Sequence, residues 1–171
     1  MTLDELNRMD APAAATELYC CCGSLRWVEG LLDRRPFRSV DALLQCADEV
    51  WWSLAEHDWM EAFTHHPRIG DIESLKKKFA DTARWAASEQ ASVQEASEAI
   101  LRALADGNRE YEQRFGFIFI VCATGKTAED LLAHLQSRLN NPHATELGVA
   151  AGEQAKITRL RLLKLLETSS H

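Results

Sequence analysis

The segment FTHHPRIGD, at residues 63–71, brings together the residue types of this chain that are best suited to proton chemistry. Pro67 disfavours the helical conformation at His66, and Gly70 permits a turn, so the segment is predicted to be a loop. Such a loop would hold the imidazole of His66 in one orientation, where it could act as a general acid or base. A lone histidine is more often structural than catalytic, and His65 is expected to point elsewhere.

Glu89 is a second candidate, because it interrupts an apolar helical stripe. Trp85 lies one helical turn before it, and Val93 and Ala96 follow on the same predicted face. Burial of a carboxylate raises its pKa, which is how a protein prepares an acid or base that works near neutral pH. If this end of the helix is exposed instead, Glu89 is an ordinary solvated side chain.

Arg161 is a third candidate, since it lies among leucines in the predicted last helix. Leu160 and Leu162 flank it, so its guanidinium either extends to water or meets an anion, which its planar fork is suited to bind. Arg159 is close by in the same helix and competes for the same role.

Residues 115–125, FGFIFIVCATG, are apolar and contain two glycines. They fit either the buried start of a helix or an extended buried loop. In an extended loop the backbone N–H groups would need partners, and a polar ligand could supply them. The overlapping ATGKT, residues 123–127, imitates the end of a phosphate-binding loop. That motif requires glycine where Ile120 stands, so nucleotide binding is not predicted.

The composition is that of a globular protein with a single domain. The chain has 171 residues, a net charge of −7 and a pI near 5.4. This acidity argues against nucleic acid or an anionic membrane as a partner. No apolar stretch is long enough to cross a bilayer, and the acidic N-terminus does not look like a signal peptide. We therefore expect a soluble cytoplasmic protein.

The five cysteines show no spacing typical of a metal or redox site. Cys20, Cys21 and Cys22 are consecutive, so on a helix they would point in different directions, while Cys46 and Cys122 stand alone. The chain has no CxxC pair and no HExxH motif. We therefore predict no metal site and interpret the cysteines as small packing residues.

Hydrophobic periodicity predicts an all-α single domain, residues 1–171, of roughly seven to nine helices. Asp58 with Glu61 is expected to cap a short helix, and a long helix through Tyr111 is expected to be interrupted near Gly107. Helices are predicted after Thr2, Asp10, Ser24, Ser39 and Thr127, at residues 72–79, after Thr82, and from about Thr145 to Glu167.

Four segments in order along the chain resemble the 2-oxo-4-hydroxy-4-carboxy-5-ureidoimidazoline (OHCU) decarboxylase family. They are HPRIGD at residues 66–71, SEQA at 88–91, RFGFIFIVCATGKT at 114–127 and EQAKITRLRLLKL at 153–165. CCGSLRWV, at residues 21–28, is similar to the bacterial members. The resemblance rests on the order and separation of these segments, and it covers nearly the whole chain.

The resemblance implies an all-helical homodimer that acts in urate degradation on a small-molecule substrate. The family removes the carboxylate of OHCU to give (S)-allantoin and needs no metal or organic cofactor. By motif, His66 and Glu89 are the implied catalytic residues. The implied substrate-binding residues are Pro67, Gln90, Phe119, Ile120, Val121, Cys122, Ala123 and Arg161.

The sequence departs from the family pattern at Ala86, where many relatives have a substrate-binding serine. Ser88 is near but would face differently on a helix, so that contact is lost, replaced by water or made by Ser88. Two other functions stay open: a hydrolase of a cyclic ureide that uses a histidine and a glutamate, and a non-catalytic helical interaction module. Only the decarboxylase would release CO2.

Overall fold

The computed structural model describes the backbone of residues 1–66 and 90–167, and the side chains of the same residues apart from 90–97. Within these ranges the chain forms eight α-helices and no strand, which confirms the all-α prediction. The helices predicted at residues 72–79 and after Thr82 lie outside the described residues. The eight helices are α1 (Leu3–Arg8), α2 (Ala11–Cys21), α3 (Leu25–Leu32), α4 (Val40–Ser53), α5 (Glu56–Thr64), α6 (Gln90–Phe115), α7 (Ala128–Arg138) and α8 (His143–Glu167).

Polar side chains cap the helices at the starts that the sequence predicts. In α1 the Thr2 hydroxyl accepts a hydrogen bond from the Glu5 N–H, and the Glu5 carboxylate accepts one from the Thr2 N–H. Each such bond satisfies a backbone donor that has no partner within the helix. The side chains of Asp10, Ser24, Ser39 and Thr127 cap α2, α3, α4 and α7.

Two helix starts lie slightly earlier than predicted. α5 begins at Glu56, and Asp58 acts from inside its first turn, where the carboxylate accepts a hydrogen bond from the Ala55 N–H at 3.3 Å. α8 begins at His143 rather than near Thr145. None of the described helices is long and apolar enough to span a membrane.

α6 runs without a break from Gln90 to Phe115, so the predicted interruption near Gly107 is wrong. Gly107 lies where α6 packs against α7, and a Cβ atom added there would be 2.5 Å from Cδ2 of Leu135. The glycine therefore permits the two helices to approach closely. This packing stabilises the helix although glycine has a low helix propensity.

The chain divides into two compact units. The first comprises Met1–His66 and Ala151–His171, and the second comprises Pro67–Ala150. Helices α1 to α5 and most of α8 belong to the first unit, while α6, α7 and the first residues of α8 belong to the second. One domain over residues 1–171 stays a prediction.

Two tryptophans join the helices in the core of the first unit. The ring N–H of Trp27 donates to the Ala47 carbonyl at 3.1 Å, and that of Trp51 donates to the Ala151 carbonyl at 3.0 Å. A buried indole N–H without an acceptor would be costly, so these bonds fix the register of the helices as well as filling the core. They connect α3 to α4 and α4 to α8, the helix that carries Arg161.

Candidate active site

His66 lies just beyond the end of α5, as the sequence predicts. The helix ends at Thr64, and the backbone N–H of His66 still donates to the Phe63 carbonyl at 3.3 Å. The imidazole is half-buried within the first unit. Its position is therefore set by the last turn of α5, which is anchored in the core by the buried Phe63.

Gln154 of α8 holds the imidazole of His66. Its side-chain oxygen Oε1 is hydrogen-bonded to Nε2 of His66, and its Nε2 donates to Oγ1 of Thr158 at 3.0 Å. Gln154 is fully buried, and Thr158 nearly so. Two separate parts of the sequence, the end of α5 and the middle of α8, thus meet at His66.

Burial and the neighbouring Arg161 favour the neutral imidazole of His66. Burial is the largest effect and lowers the pKa of His66 below its usual value, while the hydrogen bond to Gln154 opposes this shift. The positive charge of Arg161 lowers the pKa of His66 further, and the neighbouring His65 acts in the same direction. Near pH 7 the neutral ring therefore has one protonated nitrogen and one nitrogen that can accept a proton.

Arg161, rather than Arg159, is the arginine that acts on His66. Arg161 lies seven residues after Gln154, about two helical turns, and therefore on the same face of α8. It is half-buried, and its Nη1 donates to the Cys21 carbonyl at 3.4 Å. Arg159 is exposed and is not among the groups that shift the pKa of His66. Arg161 is therefore the arginine whose charge reaches His66, and its contact with the substrate stays a prediction.

His65 points elsewhere, as expected. Its Nε2 atom lies 2.6 Å from the Tyr19 hydroxyl, and the two rings meet edge to face. The ring also lies against Gly23, where an added Cβ atom would be 2.5 Å from Cδ2 of His65. His65 therefore packs the turn that carries His66.

Residues 116–127 form a non-helical loop in the second unit, so the extended alternative for this apolar segment is confirmed. Ile120 and Cys122 are buried, and Phe119, Val121 and Ala123 are half-buried. Two backbone carbonyls of the loop accept hydrogen bonds from charged side chains of the same unit. The Ile120 carbonyl accepts from Nη1 of Arg138 at 2.7 Å, and the Cys122 carbonyl accepts from Nζ of Lys126 at 2.6 Å. The path of the backbone is thus fixed by charged donors.

A buried polar cluster that the sequence reading missed supports this loop. Nε of Arg138 lies 2.6 Å from Oε1 of Glu146, whose other oxygen accepts from the Asn141 side chain at 2.9 Å. The Tyr111 hydroxyl also donates to Glu146, and burial together with this bond raises the pKa of Tyr111. The signal in the sequence was the stripe Leu131, Leu135, Arg138, which places a cation on the buried face of α7.

Cys21, Cys22 and Cys122 are buried packing residues, whereas Cys20 is exposed and Cys46 is half-buried. Burial raises the pKa of Cys21 to about 11 and that of Cys22 to about 12, which leaves both as unreactive thiols near neutral pH. All five cysteines are free. Among the described residues, no group of three or more His, Cys, Asp and Glu side chains could hold a metal ion.

A family model for OHCU decarboxylase matches residues 7–163. The chain belongs to the OHCU decarboxylase family. The resemblance seen in the sequence motifs is thereby confirmed, and His66, Gln154 and Arg161 all lie within the matched residues.

Two named relatives differ in the share of their own length that this chain covers. The chain is 40% identical over 151 residues to the uric acid degradation bifunctional protein TTL of Arabidopsis thaliana, covering 87% of this chain and 46% of that protein. It is 27% identical over 166 residues to the 2-oxo-4-hydroxy-4-carboxy-5-ureidoimidazoline decarboxylase of Haloferax volcanii, covering 95% of this chain and 94% of that protein. It thus spans less than half of the Arabidopsis relative and nearly all of the Haloferax one.

A solved member of the family shares the fold. The crystal structure of an OHCU decarboxylase in the presence of (S)-allantoin superposes with a TM-score of 0.70 at 34% sequence identity. The match covers 88% of this chain and 97% of that chain.

Several residues that the family motifs predict for the site fall outside the description. Pro67, Ala86, Ser88 and Glu89 lie outside the described residues. Gln90 begins α6, and its side chain is also outside the description. The structure therefore brings together His66 and Arg161 with Gln154, and it fixes the backbone of residues 119–123 separately in the second unit.

Proposed function

We propose that this chain decarboxylates OHCU to (S)-allantoin and CO2, a step of urate degradation. Membership of the OHCU decarboxylase family and the likeness to a decarboxylase solved in the presence of (S)-allantoin support the proposal. The observation that carries the proposal is the environment of His66. Its neutral imidazole is hydrogen-bonded to the buried Gln154, and the charge of Arg161 lowers its pKa.

The reaction makes two demands on the site. Decarboxylation breaks the bond between the carboxylate carbon and a ring carbon, and the electron pair of that bond stays on the substrate while CO2 leaves. The site must stabilise the developing negative charge and then supply a proton to complete (S)-allantoin. Delivery of this proton to one face accounts for a single stereoisomer.

His66 and Glu89 handle the proton in this proposal. A neutral imidazole can take a proton from the substrate and return one as the reaction proceeds, and Glu89 orients the imidazole or shares its proton. Arg161 supplies a permanent positive charge on the same side of α8 as Gln154, which suits an anionic edge of the substrate.

Pro67, Gln90 and residues 119–123 bind the substrate in this proposal. OHCU carries urea-type N–H and C=O groups, which match the donor and acceptor atoms of a glutamine amide and of a peptide backbone. The charged donors Arg138 and Lys126 hold two carbonyls of the loop, which preorganises its backbone for such contacts.

The proposed enzyme needs no metal or organic cofactor and acts as a cytoplasmic homodimer. Leu25, Trp52 and Leu160 are large apolar side chains exposed on the first unit, and a dimer could bury them. Sedimentation equilibrium showing only a 19.2 kDa species at micromolar concentration would contradict the dimer. Loss of activity on dialysis against EDTA, with recovery on adding zinc, would contradict cofactor independence.

The deciding experiment generates OHCU in situ from urate, adds this protein, and follows CO2 release and allantoin chirality together. Uncatalysed decay is expected to give racemic allantoin, so the expected result is faster CO2 release with an excess of the (S) enantiomer. The matched control is the folded His66→Asn variant at the same concentration, which should release CO2 about 10² to 10⁴ times more slowly than the wild type.

The same assay separates the other two functions. A hydrolase of a cyclic ureide would consume substrate by opening a ring or releasing ammonia, without CO2. A helical interaction module would leave the decay of OHCU unchanged. Either outcome, with the protein shown to be folded by circular dichroism, rejects the proposed decarboxylation.

A further inference from the structure

Gln154, Thr158 and Cys22 form a line of side-chain hydrogen bonds that ends at His66. The imidazole Nε2 of His66 bonds to Oε1 of Gln154, and Nε2 of Gln154 bonds to Oγ1 of Thr158 at 3.0 Å. The Thr158 hydroxyl in turn bonds to the thiol of Cys22. Gln154 and Cys22 are fully buried and Thr158 nearly so, which makes this an internal network.

The direction of these bonds follows from the chemistry of the groups. A glutamine amide has one oxygen that only accepts and one nitrogen that only donates. The nitrogen of Gln154 donates to Thr158 in this orientation, so the oxygen that faces His66 accepts a hydrogen bond from the imidazole N–H. The Thr158 oxygen accepts from Gln154 and leaves its own hydrogen for the sulfur of Cys22.

We propose that Gln154, held by Thr158 and Cys22, is a positioning residue that keeps the proton of neutral His66 on Nε2, so that Nδ1 exchanges the proton with the substrate. Proton exchange between Nδ1 and the substrate rests on the proposed decarboxylation. The position of the proton on Nε2 is a property of the protein without substrate. Nothing in the sequence motifs assigns a role to Gln154, Thr158 or Cys22.

The preference for one tautomer follows from the orientation of the Gln154 amide in this buried network. If the proton moved to Nδ1, two acceptors, Nε2 of His66 and Oε1 of Gln154, would face each other without a hydrogen between them. Leaving a buried acceptor unsatisfied is unfavourable enough to disfavour that tautomer by about tenfold or more. Rotating the Gln154 amide would also remove this conflict, because the Thr158 hydroxyl can then donate to Oε1, but Thr158 would give up its hydrogen bond to Cys22.

Nitrogen NMR tests the tautomer directly. The full chain labelled with 15N-histidine is measured at a pH where His66 is neutral, and its signals are assigned by their loss in His66→Asn. We expect the shift of a protonated nitrogen at Nε2 and of an unprotonated nitrogen at Nδ1. Gln154→Met, which keeps the size but neither hydrogen bond, should show a mixture of the two tautomers and lower kcat by about tenfold with little change in KM.

Two pairs of variants separate positioning from general stability. Thr158→Ser keeps the hydroxyl and should retain the wild-type tautomer and turnover, while Thr158→Val removes it and should behave as a weaker form of Gln154→Met. Gln45→Met is the matched control, because Gln45 is exposed on α4 and its amide bonds only to Glu49 in the described structure. This control should leave both the tautomer and kcat unchanged.

The outcomes are distinct. A wild-type His66 protonated on Nδ1 overturns the proposal, and so does a Gln154→Met or Thr158→Val protein that keeps the pure Nε2–H tautomer. If Gln154→Met does not fold, the comparison of Thr158→Ser with Thr158→Val decides. If the tautomer is as expected but the wild type releases no CO2 from OHCU, the proposed decarboxylation fails and the tautomer assignment stands.

Discussion

Arg138 and Glu146 form an ion pair inside the second unit, with Nε of the arginine 2.6 Å from a carboxylate oxygen of the glutamate. Both side chains are almost completely buried. Arg138 also donates to the Ile120 carbonyl at 2.7 Å and lies over the Phe119 ring, 4.5 Å from its centroid. The pair therefore joins α7 and α8 to the loop that the family motif assigns to substrate binding.

Removing the negative charge from this pair should destabilise the protein strongly. Glu146→Gln leaves the guanidinium of Arg138 buried without a counter-charge, so we expect the free energy of unfolding to fall by about 3–5 kcal/mol. The control is Asp106→Asn, which breaks the exposed pair with Arg109 on α6 and should cost at most about 1 kcal/mol. Urea denaturation measures both, and equal losses would contradict the burial argument.

A methyl group at Gly23 should disturb the turn that carries His66. The added Cβ atom would lie 2.5 to 2.8 Å from three atoms of His65, so His65 must move. We expect Gly23→Ala to lower the free energy of unfolding by about 1–3 kcal/mol and to reduce turnover.

Gly148→Ala is the matched control for this substitution. Gly148 is helical, and a Cβ atom there meets nothing within 4 Å, so alanine should stabilise α8 by about 0.5–1 kcal/mol. If the two variants unfold at the same urea concentration, the contact between Gly23 and His65 has no energetic consequence.

The lowered pKa of His66 makes stability depend on pH with a definite sign. The unfolded chain binds the proton more readily than the folded chain, so the contribution of His66 is fully present above its unfolded pKa of about 6.5. This contribution to stability is lost as the pH falls from about 6.5 through the pKa that His66 has in the folded protein. The wild type should therefore lose stability over this pH range relative to His66→Asn. Urea denaturation at several pH values measures the free energy of unfolding of both proteins. The same pH dependence in both would contradict the prediction.

Local features of the fold could be read from the sequence, while contacts between distant residues could not. Thr2, Ser39 and Thr127 cap their helices as predicted because a cap depends on residues three positions away. The break predicted at Gly107 is wrong because a neighbouring helix, through Leu135, decides the outcome at that position. The apolar segment at residues 115–125 predicted either an extended loop or the start of a helix, and only the structure decided between them.

The same limit applies to the candidate site. His66 stood out because the following proline forces a loop, and Arg161 stood out because charge is rare among leucines. Gln154 did not stand out, because its partner His66 is 88 residues away and no local pattern marks a buried amide. Arg138 and Glu146 were missed for a related reason, since a charged residue on a helix is usually solvated and only packing shows that it is not.

Replacing His66 should separate a catalytic role from a structural one. His66→Asn keeps a polar side chain but cannot carry a proton, so we expect the rate of CO2 release to fall by about 10² to 10⁴, the range for loss of a general acid or base. Circular dichroism and urea denaturation are measured on the same sample. A folded variant with unchanged turnover would remove His66 from the mechanism.

Glu89→Gln and the double variant with His66→Asn test whether the two proposed catalytic residues act as one unit. Glutamine keeps the shape of Glu89 and most of its hydrogen bonds but removes the charge, so this variant probes electrostatics rather than packing. Residues that handle one proton together give non-additive losses, and the double variant should then be hardly slower than His66→Asn alone. The rates of CO2 release from the wild type, both single variants and the double variant are compared at saturating OHCU. Losses that multiply fully would mean that Glu89 acts separately, for example by binding the substrate.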